Sequence, residues 1–389
     1  MFKILDGLYS CGVTHASRRM FDELVPLTQG TSYNSYIVEG SSKTALIDTS
    51  YPEKADEYLK NIAQFKKIDY IIANHGEQDH TGVLPLVMDL HPNARVLTNA
   101  KCKQLILEAM EVDASRIDVV DDNTSIDLGG RTLKFILAPW VHWPDTMFTY
   151  VPECDALFTC DFLGAHTSYD EPFAKEDAET LLAAKRYYAE IMMPFRTYCA
   201  KYLEKIDAIK PKLILPSHGG VYKNPSFILD AYKEWTSPTP LRKVLIPYVS
   251  MYGNSYKMAC ALRDILDGKF GVKTSLFDCV NGDIGEYTCD IIDAGAIVYS
   301  ASVVLTSPHP AIASIAYITN LLRPKAGLYA VIGSLGWGGL LEKRLSEFFT
   351  NYKPECVGSV TVKGRPTEDT FAQLEELAEK IASKLPAGK

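Results

Sequence analysis

His75-Gly-Glu77-Gln-Asp79-His80 is the stretch on which the reading of this chain turns. Four metal-competent side chains fall within six residues, just after an apolar run, Tyr70-Ile71-Ile72-Ala73, that reads as a buried strand. Loops at strand ends are where a rigid sheet presents ligands. Two imidazoles and two carboxylates this close do not easily serve one ion. In a locally extended segment, positions 75, 77 and 79 point one way while His80 turns away. Two adjacent metals sharing the cluster is therefore the natural reading. The plain alternative, a solvated polar loop, loses ground because similar contexts recur downstream.

Those contexts are His142 in Trp140-Val-His142-Trp143-Pro144-Asp145, Asp161 in Leu157-Phe-Thr-Cys-Asp161, and His218 in Leu213-Ile-Leu-Pro-Ser-His218-Gly219. Each stands at or just past the end of a strand-like run, in a chain with only eight histidines. The order resembles the metallo-β-lactamase superfamily, in which the Asp bridges two metals and the histidines complete each site. His15, His91, His166 and His309 lack the context and read as surface or packing residues. His166, five residues past Asp161, is the one placed to support a ligand from behind. Zinc hydrolases of that superfamily usually have His where this chain has Glu77. Imidazole-rich tetrahedral sites suit zinc, whereas added carboxylates favour harder ions and higher coordination. Zinc has no redox chemistry, so the exchange points to electron transfer rather than hydrolysis.

At 389 residues, two domains are expected. A net charge of -8 argues against a nucleic-acid partner. No apolar run is long enough for a membrane span, and the N-terminus does not read as a signal peptide. Nine scattered cysteines with no CxxC pair suit free thiols in a reducing cytoplasm. The prolines of Thr236-Ser-Pro-Thr-Pro240 mark a short stiff linker between residues 1–238 and 241–389. Before it, short strands broken by turn signals such as Gly129-Gly130 interleave with helical stretches at 179–188 and 225–235, which suits two sheets flanked by helices. After it, strands expected at 243–249, 291–299 and 328–332 alternate with helices, the last over 368–385. That alternation indicates an α/β domain with an open parallel sheet.

A second candidate site follows the first of those strands, at Ser250-Met251-Tyr252-Gly253-Asn254-Ser255, before a helix expected over 256–266. Small hydroxyl residues and a glycine there form a nest whose backbone N–H groups can hold a phosphate. The loop has no Lys or Arg, and the GxxxxGK[ST] signature is absent, which disfavours ATP or GTP. Hydroxyls and amides without an obligatory cation are how flavodoxins hold FMN. Ser334-Leu335-Gly336-Trp337-Gly338-Gly339 follows a later strand. Its glycines let the backbone approach a flat ligand, and Trp337 can cover an aromatic ring.

Read together, the two halves resemble the flavodiiron protein family (A-type flavoproteins) over nearly the whole chain. The matching segments include Gly30-Thr-Ser-Tyr33-Asn34-Ser-Tyr36, Ala45-Leu-Ile-Asp48-Thr49, the metal motifs and the two loops just quoted. The resemblance implies a metallo-β-lactamase-like αββα sandwich followed by a flavodoxin-like doubly wound sheet. It implies one iron on His75, Glu77 and His142, a second on Asp79, His80 and His218, and Asp161 bridging. FMN would sit on Ser250 to Ser255, the Ser302 region and Ser334 to Gly338. The implied chemistry is reduction of dioxygen to water, of nitric oxide to nitrous oxide, or both. Four electrons reduce dioxygen fully; two irons supply two and reduced FMN two more. A rubredoxin, a flavin reductase or a reduced deazaflavin would be the donor. The implied assembly is a head-to-tail homodimer, or a tetramer of two such dimers.

The middle flavin loop departs from the pattern. The family commonly has Gly-Ser-Pro-Thr there, and this chain has Ser300-Ala301-Ser302-Val303-Val304-Leu305. Contacts to the reactive edge of the flavin ring are expected to differ. Trp140, Trp143 and Tyr33 are expected to pack the walls of the metal site, and Asp48 to accept structural hydrogen bonds. The competing readings are a dizinc hydrolase with a flavodoxin-like appendage and an FMN carrier with a vestigial metal site.

Overall fold

Strands without a polar face, such as Thr44–Ile47 and Tyr70–Ile72, must be covered on both sides. They lie inside a seven-stranded sheet ordered Phe2–Leu5, Leu8–Ser10, Tyr36–Glu39, Thr44–Ile47, Tyr70–Ile72, Arg95–Thr98, Ile117–Val119. The first three pairings are antiparallel and the last three parallel. A five-stranded sheet follows: Ser125–Asp127, Thr132–Leu137, Met147–Val151 and Ala156–Cys160 run antiparallel, and Leu213–Pro216 joins parallel. Their inner faces share one core, with Val38, Ile47 and Ile72 from one sheet and Leu133, Phe135, Phe158 and Leu215 from the other. Tyr58, Ile62, Val87 and Ile106, from three helices, cover the outer face of the larger sheet. Tyr202 and Tyr232, from two more, pack on Phe148 of the smaller one and on Phe162 just past its strand Ala156–Cys160. This is the expected sandwich of two sheets between helices.

The computed structural model describes residues 1–387, in two compact units that part between Thr236 and Ser237. The second unit is a parallel sheet. Its strands, Lys243–Tyr248, Lys273–Asp278, Ala296–Val304, Leu328–Leu335 and Glu355–Lys363, lie in the spatial order second, first, third, fourth, fifth. That is the flavodoxin order, which reverses between the first and third strands. Met258, Leu262 and Leu266 of helix Asn254–Phe270 and Leu374, Leu377 and Ile381 of helix Glu368–Lys384 cover one face.

Three local expectations change. The strand expected from residue 291 begins at Ala296: Ile284–Ile291 is a helix, so the apolar pair Ile291-Ile292 belongs to the helix end, and Asp293 and Gly295 lie before the strand. The helix after the second site runs from Asn254 to Phe270, where Gly271 at φ 58° ends it. The ligand stretch is not extended throughout: Glu77 is, but Gln78–Thr81 is a helical turn that carries Asp79 and His80. All nine cysteines are free. Among the described residues, no helix is long and apolar enough to cross a membrane.

Candidate metal centre

Strand ends deliver all seven candidate ligands of the metal cluster to one place. His75, Glu77, Asp79 and His80 follow Tyr70–Ile72 of the larger sheet; Asp161 and His218 follow Ala156–Cys160 and Leu213–Pro216 of the smaller, and His142 lies beyond Thr132–Leu137. His75, His80, Asp79, Asp161 and His218 are buried.

The two oxygens of Asp161 divide the cluster. Oδ2 lies 3.3 Å from His142 Nε2 and 3.6 Å from His75 Nε2, and Glu77 Oε2 lies 3.1 Å from His75 Nε2 and 3.3 Å from His142 Nε2. Oδ1 lies 3.0 Å from His80 Nε2 and 3.3 Å from His218 Nε2; Asp79 faces those same two nitrogens at 3.2 and 3.1 Å. Despite this closeness, both oxygens of Asp79, both of Asp161 and Nε2 of His80 make no hydrogen bond. Buried carboxylates are not left so without a partner. Two cations, one on each side of Asp161, would satisfy every one of these atoms, and the mix of imidazole with three carboxylates suits hard, redox-active ions.

The ligands are held from behind. His75 Nδ1 lies 3.2 Å from each oxygen of the buried Asp145, which also accepts from Gly76 N at 2.7 Å. His218 Nδ1 lies 2.6 Å from the Ser32 carbonyl oxygen. An Nδ1–H given to these acceptors leaves Nε2 free for a metal. Asn34 pins the His218 loop: its backbone N–H donates to Ser217 O at 2.8 Å, and its amide to Pro216 O at 2.8 Å and Gly219 O at 2.6 Å. Burial disfavours charge on every imidazole here. Even so, the close carboxylates push His142 up to about 9, through Asp161 and Glu77, and His218 up to about 10, through Asp161 and Asp79. Asp161 is itself buried, and His80, His142 and His218 hold it well below the usual carboxylate range.

The walls are aromatic. Trp143 meets His75 edge-on at 4.9 Å, and Phe21, Tyr33 and Tyr187 ring His218 at 5.7 to 5.9 Å. Trp140 does not join them; it is 41% exposed and stacks on Phe195. Asp48 is an acceptor, as expected, taking hydrogen bonds from Asn74 N and Nδ2 at 2.8 and 3.0 Å. His166 packs 5.0 Å from the His218 ring, with Nδ1 2.9 Å from Thr31 Oγ1, and burial holds it far below its ordinary value, neutral.

In the second unit, Gly253 takes φ 83° and opens helix Asn254–Phe270, whose first turn no side chain caps. Ser250 Oγ is buried without a hydrogen bond, and beta carbons added at Gly336 and Gly338 would meet nothing within 4 Å. An uncapped helix start, an orphan hydroxyl and open backbone fit a phosphate with a flat group beyond it. Ser255 Oγ ties the loops together, accepting from Ser334 N at 3.4 Å and lying 3.4 Å from Ser302 Oγ. Ser302 Oγ accepts from Met251 N at 3.3 Å, so its hydroxyl braces the loop from within.

Residues 31–219 match the sequence family described as ODP family beta lactamase. The chain is 35% identical to a nitric oxide reductase of Moorella thermoacetica, over 98% of each chain. It superposes on the rubredoxin oxygen:oxidoreductase of Desulfovibrio gigas with TM-score 0.91 at 29% identity, covering 98% of this chain and 97% of the other. It superposes on the flavodiiron protein of Giardia intestinalis with TM-score 0.89 at 27% identity, covering 99% and 98%. The chain belongs to the flavodiiron protein family. Within that flavodiiron framework, sequence reasoning left three supports without a role: Asp145, Ser32 and Asn34. Each lay inside a quoted motif, but spacing alone does not separate a ligand from the group that orients one.

Proposed function

We propose that the chain reduces dioxygen, nitric oxide or both at a pair of iron ions fed by FMN. The observation that supports this best is Asp161, whose two buried oxygens face opposite halves of the cluster and make no hydrogen bond. His75, Glu77 and His142 would hold one iron and Asp79, His80 and His218 the other. Ser250 to Ser255, with Ser334 to Gly338, would hold FMN, and Ser302 would brace that cradle. When bound, the irons and the flavin supply the electrons that either reduction consumes.

The protein groups do the rest. Asp145 fixes the ring of His75, and the Ser32 carbonyl does the same for His218. Glu77 biases the first position toward a hard ion. Trp143, Phe21, Tyr33 and Tyr187 keep the pocket apolar, which suits a small uncharged gas and excludes bulk water. A small redox donor fits, and a rubredoxin is supported by the name of the Desulfovibrio protein. A head-to-tail dimer, or a tetramer of dimers, and a cytoplasmic setting complete the proposal; nine free cysteines support the last.

The test is metal and flavin content, followed by anaerobic turnover of the reduced protein with each gas side by side. The expected result is two irons and one FMN per chain, with turnover of at least one gas. A preparation holding two zincs and no iron that reduces either gas at full rate would sink it.

A further inference from the structure

Three large apolar side chains stand further out of the surface than any others among the described residues: Tyr252 (88% exposed), Leu305 (86%) and Trp337 (74%). Each belongs to a different loop at the carboxyl edge of the parallel sheet, following its first, third and fourth strands. In open α/β sheets, ligands bind at that edge, in the crevice where strand order reverses. Here the reversal lies between the first and third strands, so the loop bearing Leu305 forms one wall of the crevice.

That loop is unusual in form. The third strand runs past the sheet and folds back on itself, pairing Val303 with Pro308 and Val304 with Ser307. The two residues at its tip, Leu305 and Thr306, take φ 50° and 64°. Such turns favour Asn and Gly, and a leucine there is strained. The hairpin is braced from both sides. Ser302 at its base accepts from Met251 N, and Gly339 abuts it so closely that an added beta carbon would lie 2.8 Å from Val303 Cγ1. A braced hairpin that holds an ill-suited leucine out toward solvent, between two exposed aromatic residues of neighbouring loops, is arranged for apolar contact with a ligand.

We propose that Leu305 covers the ring of the bound FMN, giving it an apolar edge from this loop where a polar side chain would give a hydrogen bond. This rests on the FMN reading above. An apolar cover disfavours charge on the reduced ring, so Leu305 also holds the flavin potential down.

The test titrates FMN into flavin-stripped protein, following flavin fluorescence, and measures the midpoint potential of the bound flavin. Leu305→Asn and Leu305→Gly both suit a left-handed turn, so neither should harm folding. Each is expected to weaken FMN binding by about tenfold, the scale of one buried aliphatic side chain. Leu305→Met should bind like wild type, and Leu305→Asn should raise the potential. FMN affinity and potential unchanged in both turn-compatible variants would overturn the proposal. So would unchanged affinity with weakened self-association, which would assign Leu305 to an interface between copies. Wild-type protein that takes up no FMN would instead overturn the FMN reading itself, and this proposal with it.

Discussion

Glu77 stands where one carboxylate distinguishes an iron-favouring cluster from a zinc-favouring one. Glu77→His should abolish gas reduction while FMN stays bound, since the proposed flavin loops lie in the other unit; retained turnover in the variant counts against the role. Asp145 touches no metal atom in this reading, yet it sets the ring of His75. Asp145→Ala should lower iron affinity by about 10–100-fold, measured by chelator competition, with FMN content unaffected. A third expectation follows from the charges. His142 at about 9 and His218 at about 10 are both protonated in the metal-free protein at neutral pH. A metal needs them neutral, so binding must release protons and must tighten as pH rises toward those values. Calorimetry in buffers of different ionisation enthalpy reads that release directly, and none at neutral pH would contradict the charge assignment. The candidate ligands were legible in sequence because two imidazoles and two carboxylates in six residues are rare outside metal sites. Their geometry was less so. An extended reading of 75–79 put Asp79 beside Glu77, whereas a helical turn places it with His80 and His218.

Elements were readable where their boundaries carried a chemical break. Lys243–Tyr248 and Leu328–Leu335 are bounded by polar or glycine-rich turns, and both begin where expected. The strand at Ala296 was misplaced because Ile291 and Ile292, the apolar end of a helix, read as the start of the strand despite Asp293 and Gly295 beyond them. The hairpin at Val303–Pro308 was invisible because its turn residues, Leu305 and Thr306, are not turn formers. At this scale the segment Thr31–Tyr36 does more than its short length suggests. Asn34 and Tyr36, at the entry to a strand of the larger sheet, bond Pro216, Ser217 and Gly219 beside a strand of the smaller. Asn34→Ala removes two buried hydrogen bonds, to the Pro216 and Gly219 carbonyls, and should cost about 2–4 kcal/mol of stability. The metal set that includes His218 should empty first. Urea unfolding paired with metal analysis checks both, and a loss of stability with full metal content would separate the two effects.

For the whole molecule, neither unit alone holds both the candidate ligand cluster and the proposed flavin loops, and a short proline-stiffened linker joins them. The proposed head-to-tail pairing would place the flavin of one chain against the metals of its partner. Mixing inactive His80→Ala with inactive Asn254→Asp, which sets a negative charge against the phosphate site, should restore part of the activity after subunit exchange. No recovery, with exchange and cofactor loss both proven, would mean electrons pass within one chain. The sandwich itself has another consequence. Four of the proposed ligands follow a strand of one sheet and three come after strands of the other, so ions seated there clasp the two sheets along their rim. Anything that binds only the folded form stabilises it, by about 2.7 kcal/mol when present at a hundred times its dissociation constant. Iron shortage would then be felt first as fragility. A protease should nick residues 1–236 of the stripped chain well before those of the loaded one, and the lifetime of the protein in a cell would follow its iron supply.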